Sequence, residues 1–217
     1  MNKALIAIVL AAGAISATPI TYSISVLTNL VGTPGSLDIQ YNPGPTATQA
    51  STATISLFSP TATLSGPVAT PGAPTITGSL LTSLAIKNDP GFNDYFINYT
   101  FPSVITFQLT LSGAGVDTPS NTGSGSTFAF SLYDAAGTTP LKSSNVDGFL
   151  FQIDLSNRGV ATFQNFATGG ATVSATTSST VPEPTTLLLA PASLMLLALL
   201  RGRSRASQQT LKIGGNQ

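Results

Sequence analysis

The chain contains no cysteine, no histidine and no tryptophan, and its only glutamate is Glu183. Without cysteine no disulfide staples the fold and no thiol can act as a nucleophile. Without histidine the commonest general base and the commonest transition-metal ligand are both missing. Ser-His-Asp and Cys-His machinery are therefore excluded. Charge is equally scarce, at 7% of 217 residues. Between Thr18 and Thr180 the cations are Lys87, Lys142 and Arg158, against seven aspartates, which leaves that body at −4. A basic face is the footprint of nucleic-acid binding, so nucleic acid is not an expected partner.

What the body does contain is Ser, Thr, Gly and Pro around short alternating apolar runs. Tyr22, Ile24 and Val26 alternate with Thr21, Ser23 and Ser25, and Ile105, Phe107, Leu109 and Leu111 alternate with Thr106, Gln108 and Thr110. Period two indicates strands with one face buried. The same pattern recurs over Leu37–Tyr41, Phe128–Leu132 and Phe149–Leu155, with a bulkier candidate over Ala53–Phe58. Asn157-Arg158-Gly159 reads as the tight turn of a hairpin into Val160–Phe166. Ser59–Thr77, thick with prolines, reads as a long surface connection with one short edge strand near Ala62–Leu64. Leu80–Ile86 fits either a strand or one helical turn.

No stretch of the body carries sustained apolar spacing of three and four. The expected fold is all-β, an antiparallel β-sandwich of eight or nine short strands, and a jelly-roll-like arrangement fits it. One domain is expected over residues 18–166. Residues 167–180 lose their bulky side chains and read as a flexible Ser/Thr/Gly stalk.

Both ends of the chain read as export signals. Met1–Ala17 has Lys3, an apolar run from Ala4 to Ile15, and small residues at Ala14, Ser16 and Ala17, the order of a secretory signal peptide. At the other end come Val181, Pro182, Glu183 and Pro184, an apolar run from Leu187 to Leu200, then Arg201, Arg203 and Arg205, with a polar tail over residues 206–217. The prolines keep the backbone extended, as a protease cleft requires. A helix over Thr185 to Leu200 would span roughly 24 Å at about 1.5 Å per residue, short of the roughly 30 Å hydrocarbon core. Such a transmembrane helix suits a pause in the membrane better than a permanent anchor. The arginines would hold its far end on the cytoplasmic side as a membrane stop.

This order resembles the PEP-CTERM sorting signal of bacterial surface and exopolysaccharide-associated proteins. The resemblance implies that residues 181–205 are an exosortase substrate, with Pro182, Glu183 and Pro184 as recognition residues. It also implies signal peptidase as a processing partner and a final location at the cell surface or in the extracellular matrix. The run from Gly35 to Gly44, Gly-Ser-Leu-Asp-Ile-Gln-Tyr-Asn-Pro-Gly, is similar to the start of one PEP-CTERM subfamily and adds support for the fold alone.

Within the body no constellation fixes an activity, and neither catalysis nor a cofactor is expected. A glycosidase needs two placed carboxyl groups, and no pairing can be read from seven scattered aspartates. Asp89 and Asp94 read as turn-shaping residues. With Asn93 they form a candidate calcium loop, since calcium accepts carboxylate and amide oxygens in flexible geometry. Among the tyrosines, Tyr95 and Tyr99 are candidates for stacking on sugar rings. The expected function is a structural or adhesive role in the exopolysaccharide matrix, as in a biofilm, with a carbohydrate-binding, lectin-like module as the alternative.

Overall fold

The computed structural model describes residues 18–61, 64–69, 75–89 and 91–178. The signal peptide, the sorting residues Val181 to Pro184, Arg201, Arg203 and Arg205, and the polar tail lie outside the described residues. The described chain is an antiparallel β-sandwich of two six-stranded sheets. Sheet A runs, edge to edge, through β12 (Thr172–Ser178), β1 (Ile20–Leu27), β8 (Val104–Ser112), β3 (Thr52–Ser59), β6 (Ser83–Lys87) and β5 (Ile76–Ser79). Sheet B runs through β11 (Ala161–Asn165), β10 (Phe151–Leu155), β9 (Ser126–Tyr133), β2 (Pro34–Pro43), β7 (Asp94–Thr100) and β4 (Leu64–Ala69). Beside these strands the described residues hold one helical turn, α1 (Ala114–Asp117).

Strands β1 to β4 pass alternately between the sheets, and so do β6 to β9. The order β1-β8-β3-β6 against β2-β7-β4 is that of a jelly roll, with β5 carried to the edge of sheet A beside β6. Strands β9 to β11 extend sheet B as a meander. The hairpin turn lies where the sequence places it: Gly159 takes φ 71° between β10 and β11, and Val160 C=O accepts from Ser156 N–H at 2.8 Å.

Alternation along each strand sends one set of side chains into a single core. At its centre Phe107, Phe130 and Phe151 lie ring on ring, with centroids 5.4 to 6.5 Å apart, and Phe128 and Phe163 pack at the rim. Strand β3 breaks the alternation. Its register shifts between Ser56 and Ser59, Leu57 takes φ 54° and turns to solvent, and Phe58 is buried in its place. This β-bulge spends one residue to keep an aromatic side chain in the core.

Three expectations are corrected or sharpened. The described part of the expected stalk, residues 167–178, is not one: Thr172–Ser178 forms β12 and pairs with β1 from Thr21↔Ser178 to Leu27↔Thr172. Small Thr and Ser side chains suffice there because an edge strand is held mainly by its ladder, while Val173 supplies the buried anchor. The Pro-rich Ser59–Thr77 stretch contains β4 and the start of β5. Pro67 sits in β4 at the edge of sheet B, the position where a missing N–H is tolerated. Leu80–Ile86 resolves as a turn leading into β6.

A chain ending at Phe166 tests the first correction against one ending at Thr180. The shorter chain is expected to lose about 2 kcal/mol from Val173 alone and to aggregate through the uncovered edge of β1. Equal melting of the two chains would restore the stalk.

Candidate functional site

None of the residues singled out in the body for binding assembles as expected. Tyr95 and Tyr99 point into the sandwich and are 4% and 2% exposed. The Tyr99 hydroxyl donates to Pro60 C=O at 2.8 Å, and its ring packs edge-on against Phe58 and Phe101. Neither tyrosine can meet a sugar ring from solvent, because strand alternation places both on the inner face of β7. The only tyrosine with a partly exposed ring is Tyr133.

The proposed calcium trio is also pulled apart. Asn93 is buried and serves as a pin: its Nδ2 donates to the carbonyls of Tyr41 and Asp89 at 3.2 and 3.1 Å, and its Oδ1 accepts from Thr75 Oγ1 at 2.6 Å. Its amide oxygen is thus already taken. Asp89 is exposed in the loop, whereas Asp94 opens β7 and turns onto the outward face of sheet B. Among the described residues no three acidic, histidine or cysteine side chains gather as metal ligands.

That outward face holds what sequence reasoning missed. Strand β2 lies between β7 and β9, and its outward residues Ser36 and Asp38 are as buried as its core residues. They are covered from both sides. Phe96 of β7 and Tyr133 of β9 lean together over β2 with ring centroids 5.8 Å apart. The segment after β9 folds back alongside, with Leu141 N–H donating to Leu132 C=O at 2.7 Å.

Under this roof the Asp38 carboxyl meets that of Asp94. Asp38 Oδ2 accepts from Gln40 Nε2 at 2.8 Å. With both groups ionised, Asp38 Oδ1 and Asp94 Oδ1 would each be buried without a hydrogen-bond partner. Burial and the acidic neighbour push the Asp38 pKa up to about 8, which favours one proton shared by the pair. Burial raises Asp94 as well, and the hydrogen bond from Asp38 opposes that rise. The Tyr133 phenol is raised by burial and then by the nearby charges of Asp38, Asp94 and Asp147.

A third oxygen belongs to the group. Ser131 lies directly across from Asp38 in the β2–β9 register, is 1% exposed, and its Oγ has no hydrogen-bond partner. Asp154, two strands away, shows the contrast. On the same face, its carboxylate accepts hydrogen bonds from Thr127, Gln152 and Gln164.

The outward face of sheet A has a different character. Its register lines up Ser178–Thr21–Thr110–Thr54 in one row and Thr176–Ser23–Gln108–Ser56 in the next. Thr21 and Thr110 hydroxyls touch at 3.1 Å. Rows of neutral hydroxyls, joined by the Gln108 amide, thus cross four strands without one charged side chain among them. A shallow depression of about 370 Å³ lies over Thr176, Ser23 and Gln108 of the second row, bordered by Leu57 and Thr106.

Compared with family models, curated proteins and solved structures, the chain matches none. The reading of its function therefore rests on the chemistry of these two faces and on the sequence of its ends.

The carboxyl pair is too close for glycoside hydrolysis as the two-carboxylate mechanism requires it. Retaining and inverting enzymes separate their carboxyl groups by about 5 to 9.5 Å so that a sugar or a water fits between them. Asp38 and Asp94 instead hydrogen-bond to each other. A sequence signal for the pair existed only in part: Asp38 is an acidic residue in the middle of an alternating strand.

Proposed function

We propose that the protein is an exported structural or adhesive component of a bacterial surface or exopolysaccharide matrix, of the PEP-CTERM class, without a catalytic role. The observation that carries the adhesive part is the charge-free lattice of Ser and Thr hydroxyls on sheet A. Neighbouring strands stand about 4.8 Å apart and same-face side chains about 7 Å apart along a strand. Such a face offers repeated donors and acceptors to a polyhydroxylated polymer without requiring a counter-charge.

The export part rests on the two ends of the chain. Signal peptidase would act after Ser16 or Ala17, and an exosortase on Val181-Pro182-Glu183-Pro184, with the Leu-rich run held transiently in the inner membrane by Arg201, Arg203 and Arg205. The last described strand ends at Ser178, so processing at Val181 or beyond would remove no strand from the sandwich.

A lectin-like module is the second reading. It moves from Tyr95 and Tyr99 to the half-exposed Phe96–Tyr133 pair, the aromatic platform that faces outward. Retention of the protein on its host's own exopolysaccharide separates the two. Under the adhesive reading, Ser23→Glu with Thr176→Glu abolishes retention and Tyr133→Ala leaves it intact. The opposite result favours the lectin, and no retention of the wild-type chain removes both. Mass spectrometry of the termini of surface-bound protein tests the export part, which an uncut Met1-to-Gln217 chain would overturn.

A further inference from the structure

We propose that Asp38 Oδ1, Asp94 Oδ1 and Ser131 Oγ form a binding site for a hard divalent cation, calcium in preference to magnesium. All three oxygens are buried and lack a hydrogen-bond partner when the carboxyl groups are ionised. They also share one place. Asp38 and Ser131 face each other across β2 and β9, where opposed Cβ atoms stand about 5 Å apart, and Asp94 of β7, opposite Gln40, lies diagonal to Asp38 on the same face. Ser131 needs separate explanation, because a shared proton satisfies the two carboxyl groups but leaves its Oγ with nothing to bind.

The charge balance points the same way. Among the described residues no lysine or arginine perturbs Asp38 or Asp94. The groups facing the pair are Gln40 on β2, Phe96 on β7, Ser131 and Tyr133 on β9, and Asp147 from the segment behind Tyr133. Two buried carboxyl oxygens and a hydroxyl oxygen without partners suit a cation that gathers oxygen donors. The donors are all oxygen, which selects calcium or magnesium over softer metals. Donors drawn from three separate strands suit calcium, which accepts six to eight oxygens in flexible geometry, whereas magnesium demands a near-ideal octahedron. Asp94 and Tyr133 are partly exposed, so water can enter from that side to complete the shell.

Calorimetric titration of the full-length chain in mild detergent with calcium chloride tests the site. Saturable binding is expected at about pH 8. Asp94→Asn should abolish binding and Ser131→Ala should weaken it about tenfold. Neither change adds bulk or charge, and circular dichroism confirms that each variant is folded. Asp89→Asn, in the exposed loop, should leave binding unchanged. Absence of calcium binding by the folded wild-type chain at about pH 8 would overturn the proposal. So would unchanged affinity in Asp94→Asn, or loss of binding in Asp89→Asn, which would place the ion on the loop instead.

Discussion

Asp38→Asn is expected to stabilise the protein at alkaline pH and to flatten its pH profile, although it replaces a residue in a central strand. The native state holds a proton on Asp38 up to about pH 8, whereas the unfolded chain releases it near the usual carboxylate value of about 3.9. Between these values the folded state binds more protons than the unfolded one, so stability falls as pH rises. The contribution is fully present below the unfolded value and is lost as pH climbs through the folded one. A tenfold change in proton affinity is worth about 1.4 kcal/mol, so the difference between the two states amounts to several kcal/mol. Asparagine mimics the protonated acid: its amide can donate to Asp94, and it carries no charge to lose. We expect the variant to exceed wild type by about 3 kcal/mol at about pH 9 and to match it near pH 4.

Asp134 works in the opposite sense. The backbone N–H groups of Thr138 and Thr139 hold its carboxyl below the ordinary range, so its contribution is lost as pH falls. Wild type should therefore be most stable at about pH 4 to 5. Urea unfolding across pH, with EDTA present to exclude cations, measures the profile. A wild-type midpoint that rises from pH 5 to pH 9 would refute the buried, shared proton.

Phe151→Ala should be the most damaging single truncation in the core, costing about 3 to 5 kcal/mol and lowering the melting temperature by roughly 10 °C. Phe151 is fully buried and meets the rings of Phe107, Phe128, Phe130 and Phe163 at 5.4 to 6.5 Å. It joins the inner layers of both sheets, since Phe107 belongs to sheet A and the other three to sheet B. No neighbour can fill the space without leaving its own contacts, so the cavity cannot collapse. Phe163, at the rim and half-buried, provides the comparison, and Phe163→Ala should cost about 1 to 2 kcal/mol. Similar losses for the two would mean that the ring stack is not the centre of the core.

Strand positions were legible because alternation is local. Ile105 to Leu111 and Phe128 to Leu132 declare their buried faces within a few residues, and Asn157-Arg158-Gly159 declares its turn. Local signals misled where bulk was taken as the measure of a strand. Thr172–Ser178 carries little apolar surface, yet it forms the outer ladder of sheet A because β1 supplies the backbone partners. The β3 bulge was hidden for a related reason: Leu57 and Phe58 are both apolar, and nothing in their order says which one turns out.

The candidate sites were less legible, because they depend on which strands become neighbours. Tyr95 and Tyr99 were readable as strand residues but not as inward-facing ones, since the choice of face is made by the opposing sheet. Asp38 and Asp94 lie far apart along the chain and meet only because β2 pairs with β7, and Ser131 joins them only because β9 pairs with β2 on its other side.

By itself the sequence determined the class of fold, the lack of thiol and imidazole chemistry, and the acidic balance of the body, all of which follow from composition and from periods of two residues. Only the tertiary structure decided that two carboxyl groups share a roofed site and that hydroxyls form rows across sheet A. Both are products of strand order and register, which are set by contacts between distant segments and leave no mark in any short stretch of chain.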